Sequence, residues 1–329
     1  MLETPSRPTI TGTPPVGAWA RKDLLDTDTL SRDEVDLILA TAEAMEEIRS
    51  RPVARVAALR GRTVVTLFYE QSTRTRASFE VAGKALGADV VNLSASGSSV
   101  EKGESLLDTV RTLEAIGADI LVMRHGRSGA PYLAARHTRA RVVNAGDGTH
   151  AHPTQALLDL YTMRKHLGTI AGRKVVIVGD VLHSRVARSN AWLLLAEGAD
   201  VVLAGPPALL PRTFTSPPGS PGRLTVTHDA DTAIAGADVV MALRIQKERQ
   251  QAGLIPSLRD YIRGYQLSPA RLARTNPGAL VMHPGPMNEG IEIAPAVAHS
   301  LASVIEEQVA NGVAVRMAIL YLMATGVRR

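Results

Sequence analysis

Short runs rich in valine and isoleucine alternate with helix-length stretches along most of this chain, and that alternation limits its fold more than any other feature. In the first half the strand-like runs are Thr63–Phe68, Asp89–Leu93, Asp119–Met123 and Arg141–Asn144. Helices are expected over Arg76–Leu86, Gly103–Ile116, around Pro131–Ala135 and over Pro153–Leu167. The pattern restarts at Lys174–Val178 with a helix over Ser184–Glu197, then strands at Asp200–Ala204, Arg223–Thr227, Asp238–Leu243 and Ala279–Met282. Apolar strands joined by helical crossovers make parallel sheets covered on both faces. At about 150 residues per domain, 329 residues imply two of them. The fold class is therefore α/β, with two doubly wound parallel-sheet domains. Ahead of them, Ser31-Arg32-Asp33-Glu34 reads as a capping box opening a helix with Val35, Ile38, Leu39 and Ala42 on its apolar face. Residues 1–20, rich in Thr, Pro and Gly, read as a flexible tail.

In open parallel sheets, ligands sit beyond the carboxyl ends of the strands. Six polar clusters follow strands in this sequence: Ser72–Arg76, Arg124-His125, Asp147–His152, Asp180–Arg185, Arg244–Arg249 and His283–Pro286. Their convergence on one cleft between the domains would make a site. Composition narrows what it could serve. Aromatic residues are only 3%, which argues against nucleic acid as a partner, since single strands are bound on aromatic platforms. The net charge of +5 is spread without a basic block and fits small anions as well as a polyanion, so alone it decides nothing. The absence of cysteine removes disulfides, thiolate nucleophiles and cysteine-based metal sites. The most apolar stretch, Val313–Val327, contains Arg316 and is short for a bilayer, and the N-terminus lacks the apolar core of a signal peptide. A soluble cytoplasmic protein without a membrane partner is expected.

Among the clusters, Ser72-Thr73-Arg74-Thr75-Arg76 is the most specific. It packs two guanidinium forks and three hydroxyls where a buried strand hands over to a helix, whose N-terminus adds unsatisfied N–H groups and a positive dipole end. That describes a phosphate cradle. The glycine-rich loops of nucleotide sites are absent, so a small phosphate compound is the better ligand. A helix cap beside a solvated arginine is the plainer alternative. For His152 a packed ring before a proline, and for Gln155 a surface amide, are likewise the plainer readings.

Taken in order, the motifs resemble those of the aspartate and ornithine carbamoyltransferases. Ser72–Arg76 looks like the family's carbamoyl phosphate motif, and His152-Pro153-Thr154-Gln155 with Leu158-Asp159 like its second shared motif. Leu243–Arg249, and His283-Pro284-Gly285-Pro286 followed by Glu292-Ile293, are similar to the aspartate branch. The ornithine branch usually carries a His-Cys-Leu-Pro segment there, and this chain has no cysteine.

The resemblance implies transfer of the carbamoyl group of carbamoyl phosphate to L-aspartate, giving N-carbamoyl-L-aspartate and phosphate, an early step of pyrimidine synthesis, with no cofactor and no metal. It implies a carbamoyl phosphate domain over 21–157 completed by a C-terminal helix over 306–329, and an aspartate domain over 158–305. The active site would lie in the cleft between them and at the subunit interface of a homotrimer, which a regulatory chain or a dihydroorotase could extend into a larger assembly. Ser72, Thr73, Arg74 and Thr75 would hold the phosphate. Thr75, Arg124 and His152 would face the carbonyl oxygen and Gln155 the carbamoyl nitrogen, with main-chain groups of Gly285 and Pro286 closing the pocket. Arg185, Arg244 and Gln246, with Lys102 of the neighbouring chain, would hold the dicarboxylate. Ser98 and Lys102 would reach in from the neighbouring chain, Lys102 joining Arg74, Thr75, Arg124 and His152 as catalytic. Glu70 would pair with Arg185 or Arg249 across the cleft; His125 and His150 are assigned to structure.

Two departures from the family pattern stand out: Glu289 where many members have arginine, and Gly126 where proline is common. A carbamoyltransferase for another amine, such as ornithine or an N-acylated amino acid, and a non-catalytic scaffold homologue are the other readings.

Overall fold

The computed structural model describes residues 19–94, 104–214, 216, 219–245 and 257–326. Its first half contains helix α1 (Arg32–Arg49), strand β1 (Thr63–Phe68), α2 (Thr73–Ala85), β2 (Asp89–Ser94), α3 (Leu106–Ala115), β3 (Ile120–His125), α4 (Ala130–Arg136), β4 (Arg141–Asp147) and α5 (Pro153–Leu167). The second half contains β5 (Lys174–Val178), α6 (Arg185–Ala196), β6 (Asp200–Ala204), β7 (Arg223–Thr227), α7 (Ala230–Ile234), β8 (Val239–Ala242), α8 (Leu258–Tyr265), α9 (Pro269–Leu272), β9 (Leu280–Met282), α10 (Pro295–Ala298) and α11 (Ile305–Thr325). The strands form two sheets, ordered β2-β1-β3-β4 and β7-β6-β5-β8-β9, with every pair parallel. Both are doubly wound, as the alternation requires.

Side chains sort by parity. In β1, Val64 and Phe68 face a core shared with α1 and α11, while Val65 and Leu67 face a second cluster with Val110 and Leu113 of α3. In β5, Val175 and Ile177 face the shared core and Val176 and Val178 a third cluster with Ala233 and Ile234. The shared core runs through α5 and α6 and so joins the two sheets.

The capping box forms as expected: the Ser31 side chain accepts from Glu34 N and the Glu34 carboxylate from the Ser31 N–H. At the other end α11 packs against α1, α2 and α5. The apolar stretch expected to be too short for a bilayer overlaps this 21-residue helix from Val313 to Thr325, and the helix by length and composition could cross one. However, 72% of its most apolar window is buried inside the protein, as in a core helix.

Candidate active site

Three helices begin at one cavity: α2 after β1, α5 after β4 and α6 after β5. None has an acidic residue in its first turn, whereas α1, α3, α7 and α8 each do. Ser72 and His152, the N-caps of α2 and α5, make no side-chain cap hydrogen bond. The positive dipole ends are thus left for an anion to satisfy. The start of α2 corrects the expectation from sequence, which began this helix at Arg76. It begins at Thr73, because extended Ser72 (φ −159°, ψ 92°) turns the chain and nothing in Thr-Arg-Thr interrupts a helix. Arg74 and Thr75 therefore stand in a rigid first turn rather than in the loop before it.

The cavity holds about 820 Å³ and lies between the carboxyl ends of the two sheets. Ser72, Thr73, Arg74, Thr75, Arg124, His152, Gln155, Arg185, Arg244, Gly285 and Pro286 all line it. Ser98, Lys102, Gln246 and Arg249 lie outside the described residues. Among the described lining residues the ionisable set is one-sided: five arginines, Arg74, Arg124, Arg185, Arg244 and Arg316, against one carboxylate, Glu70.

Glu70 Oε2 lies 2.8 Å from Arg185 Nη2 and 3.4 Å from Arg124 Nε, so one carboxylate joins an arginine of the first sheet to one of the second. The Arg185 pairing expected across the cleft is present. Backbone carbonyls complete the frame, Ala145 O accepting from Arg124 at 3.3 Å and Gly148 O from Arg185 at 3.1 Å. Between these guanidiniums passes Gly146, with φ +116°; a Cβ there would stand 2.9 Å from Arg185 Nε and 3.2 Å from Arg124 Nη1. Gly285 (φ +66°) likewise lets its turn approach Arg74, whose Nη1 would lie 3.2 Å from a Cβ.

His152 is 4% exposed, and its Nδ1 has no hydrogen-bond partner among the described residues. Burial first, then the charges of Arg124, Arg185 and Arg316, hold its pKa well below the ordinary histidine value. It is neutral at physiological pH and can donate to an oxyanion without carrying charge. Gln155, one turn into α5, donates through Nε2 to Asp159 at 2.9 Å.

Arg316 is the lining residue that sequence reasoning missed. It is 4% exposed, donates to Ser78 Oγ at 2.7 Å and sits over the Phe79 ring, 5.2 Å from its centroid. Its Nε has no partner among the described residues, and burial lowers its pKa to about 10, so it remains charged. An arginine inside an otherwise apolar stretch was the available signal. Gln308, which also lines the cavity, carried none.

Neither histidine assigned to structure lines the cavity. His125 Nδ1 accepts from Arg127 N at 2.9 Å. His150 lies between two buried carboxylates, 3.1 Å from Asp26 and 3.2 Å from Asp147. Hydrogen bonds to Asp147 and then Asp26 raise its pKa to about 10 against the opposing effect of burial. The imidazolium ties the segment entering the fold to the loop that carries His152. Glu289 is exposed, is not among the residues lining the cavity, and pairs with His299 at 3.3 Å.

The model of the aspartate/ornithine carbamoyltransferase carbamoyl-P binding domain matches residues 22–165, and that of the family's Asp/Orn binding domain matches residues 171–323. The chain is similar to the aspartate carbamoyltransferase catalytic subunit of Chloroflexus aggregans, with 62% identity over 92% of this chain and 98% of that one. It superposes on aspartate transcarbamoylase from Trypanosoma cruzi in complex with carbamoyl aspartate and phosphate, with a TM-score of 0.83 and 30% identity over 95% of this chain and 99% of that one. Ornithine carbamoyltransferase from Pyrococcus furiosus also gives a TM-score of 0.83, at 30% identity over 93% and 98%.

Two outcomes follow from this geometry. Gly146→Ala should lower kcat at least about tenfold and lower Tm as well, because an L side chain is strained at this positive φ and its methyl displaces Arg185 and Arg124; wild-type kinetics in the folded variant would contradict the arrangement. His150→Gln tests the carboxylate clamp. A histidine whose folded pKa lies above its unfolded value stabilises fully below about pH 6.5, and that stabilisation is lost as pH rises through about 10. The Tm difference between wild type and His150→Gln should therefore be largest below neutrality and close by about pH 10. A difference independent of pH would show that the charge on His150 does not matter.

Proposed function

The chain belongs to the aspartate/ornithine carbamoyltransferase family, and we propose that it transfers the carbamoyl group of carbamoyl phosphate to L-aspartate, giving N-carbamoyl-L-aspartate and phosphate. The observation that carries this reading is the charge of the cavity, where the described residues supply five arginines against one carboxylate that is already paired. One substrate is a phosphate and the other a dicarboxylate, and guanidinium forks suit both. A cationic acceptor such as ornithine would have to displace charge of its own sign.

Arg74, with Ser72, Thr73 and the N-terminus of α2, holds the phosphate. Gln155 and the Gly285–Pro286 turn hold the carbamoyl amine. Arg185 and Arg244, with Gln246, hold the aspartate carboxylates. The aspartate amine attacks the carbonyl carbon, and the electron pair of the C=O bond moves to oxygen. Thr75, Arg124 and neutral His152 stabilise that oxyanion. Its collapse breaks the bond to the phosphate oxygen, and the departing phosphate takes the proton that the amine sheds. No side chain becomes covalently attached; catalysis rests on positioning and electrostatics. The carbamoyl phosphate half is residues 21–157 with the helix from 306, and the aspartate half residues 158–305.

The product belongs to pyrimidine synthesis, and the enzyme is soluble and cytoplasmic. The active assembly is a homotrimer in which Ser98 and Lys102 of each chain serve the neighbouring site, Lys102 compensating phosphate charge. A larger assembly with a regulatory chain or a dihydroorotase is compatible with this trimer.

Purified protein given carbamoyl phosphate should carbamoylate aspartate and leave ornithine unmodified, read by product chromatography; carbamoylornithine alone, or no product from folded protein, would refute the assignment. For the shared site, trimers mixed from Lys102→Ala and Arg74→Ala chains should recover part of the activity each variant lacks. Mixed trimers as inactive as their parents would place Lys102 in its own chain's site.

A further inference from the structure

Asp159 is fully buried in α5, one turn beyond Gln155, and stands behind the cavity wall. Three side-chain amides converge on it. Its Oδ1 accepts from Gln155 Nε2 at 2.9 Å and from Gln308 Nε2 at 2.8 Å, and its Oδ2 accepts from Asn190 Nδ2 at 2.8 Å. They come from α5, α11 and α6.

An ionised carboxylate only accepts hydrogen bonds. A glutamine facing it must present nitrogen, which fixes the other end of the planar amide as oxygen. For Gln155, which lines the cavity, the end left for a ligand is therefore Oε1, a pure acceptor. For Gln308, Oε1 accepts the His283 N–H at 3.0 Å. His283 Nδ1 in turn accepts the Gly285 N–H at 2.8 Å, which shapes the Gly285–Pro286 turn. One carboxylate thus orients an acceptor at the cavity and, through two relays, the turn that also lines it.

The arrangement is costly for the fold. Burial is the largest influence on Asp159 and raises its pKa to about 6, against the hydrogen bonds of the three amides. A carboxyl group with a raised folded pKa stabilises less as pH climbs through that value, so at neutral pH its charge works against folding. Packing alone would be served better by an apolar residue.

Resting on the reading that this cavity takes carbamoyl phosphate, we propose that Asp159 is a positioning residue for recognition of the carbamoyl amine: it holds Gln155 with Oε1 toward the N–H donors of the ligand and steadies the Gly285–Pro286 turn that meets the same group.

Acetyl phosphate isolates this contribution, because it keeps the phosphate and carbonyl but carries a methyl where carbamoyl phosphate carries the amine. Equilibrium titration of both ligands in the cold should show wild type preferring carbamoyl phosphate. Asp159→Leu, of similar volume, should lose about tenfold in affinity for carbamoyl phosphate, the equivalent of one hydrogen bond, and stay within about threefold for acetyl phosphate. Asp159→Asn should move the ratio the same way by less, since one accepting oxygen and one donating nitrogen then meet three donors; it decides the question if the leucine variant does not fold. A ratio unchanged in the folded variants, or equal weakening of both ligands, overturns the proposal. Wild type binding the two equally would overturn the carbamoyl phosphate reading, and this proposal with it.

Discussion

Like-charge repulsion is the constraint around which the site is built. At about 5 Å and an effective dielectric near 20, two guanidiniums repel by roughly 3 kcal/mol. Among the described residues, five of them line one cavity against a single carboxylate. Glu70 lies between Arg124 and Arg185 and offsets part of that repulsion, while Asp159 supplies a second negative charge from behind the wall. The rest is left for the ligand. A phosphate or a dicarboxylate entering this space relieves strain that the empty protein carries, so binding energy and folding energy are coupled at the same residues.

Parallel topology makes such a concentration of charge possible. Every strand in both sheets ends toward the cavity, and the helices that follow β1, β4 and β5 begin there. Three helix N-termini add to the guanidiniums: their first turns omit the acidic residues found in α1, α3, α7 and α8, and those of α2 and α5 have no side-chain cap either, whereas Ser184 caps α6. His152 follows from the same field. Surrounded by arginines and deprived of water, it has little option but to be neutral, and that state lets it donate to a developing oxyanion without adding to the repulsion.

Much of this was legible in the sequence because local pattern and chemistry coincide there. Strand periodicity located the sheets, and the rule that ligands sit at carboxyl ends of strands selected the clusters that line the cavity. What escaped was long-range. Arg316 reads as an interruption in an apolar helix until α11 is seen to pack on α2, where Ser78 and Phe79 receive it. Asp159 looks like one residue of a motif, and the amides that give it meaning come from positions 155, 190 and 308. Gly146 gives no sign in sequence that two guanidiniums close around it. The start of α2 was misplaced because serine, threonine and arginine suit both a loop and a first turn, and only the extended backbone of Ser72 decides between them.

The fold does not decide which amine is carbamoylated. Aspartate and ornithine enzymes superpose on this chain equally well, so the scaffold carries the shared half of the chemistry and a few side chains carry the difference. On the reading proposed above, those side chains follow strands of the second sheet. Arg185 opens α6 just beyond β5, and Arg244 follows β8 by two residues. Arg185 rides on the first turn of a helix and Arg244 on the segment after β8, and both add positive charge to the cavity. Arg74 belongs to the phosphate motif that both branches share, so it cannot be what separates the two acceptors. On the reading proposed above, the choice of aspartate falls to Arg185 and Arg244, whose guanidinium forks match a dicarboxylate.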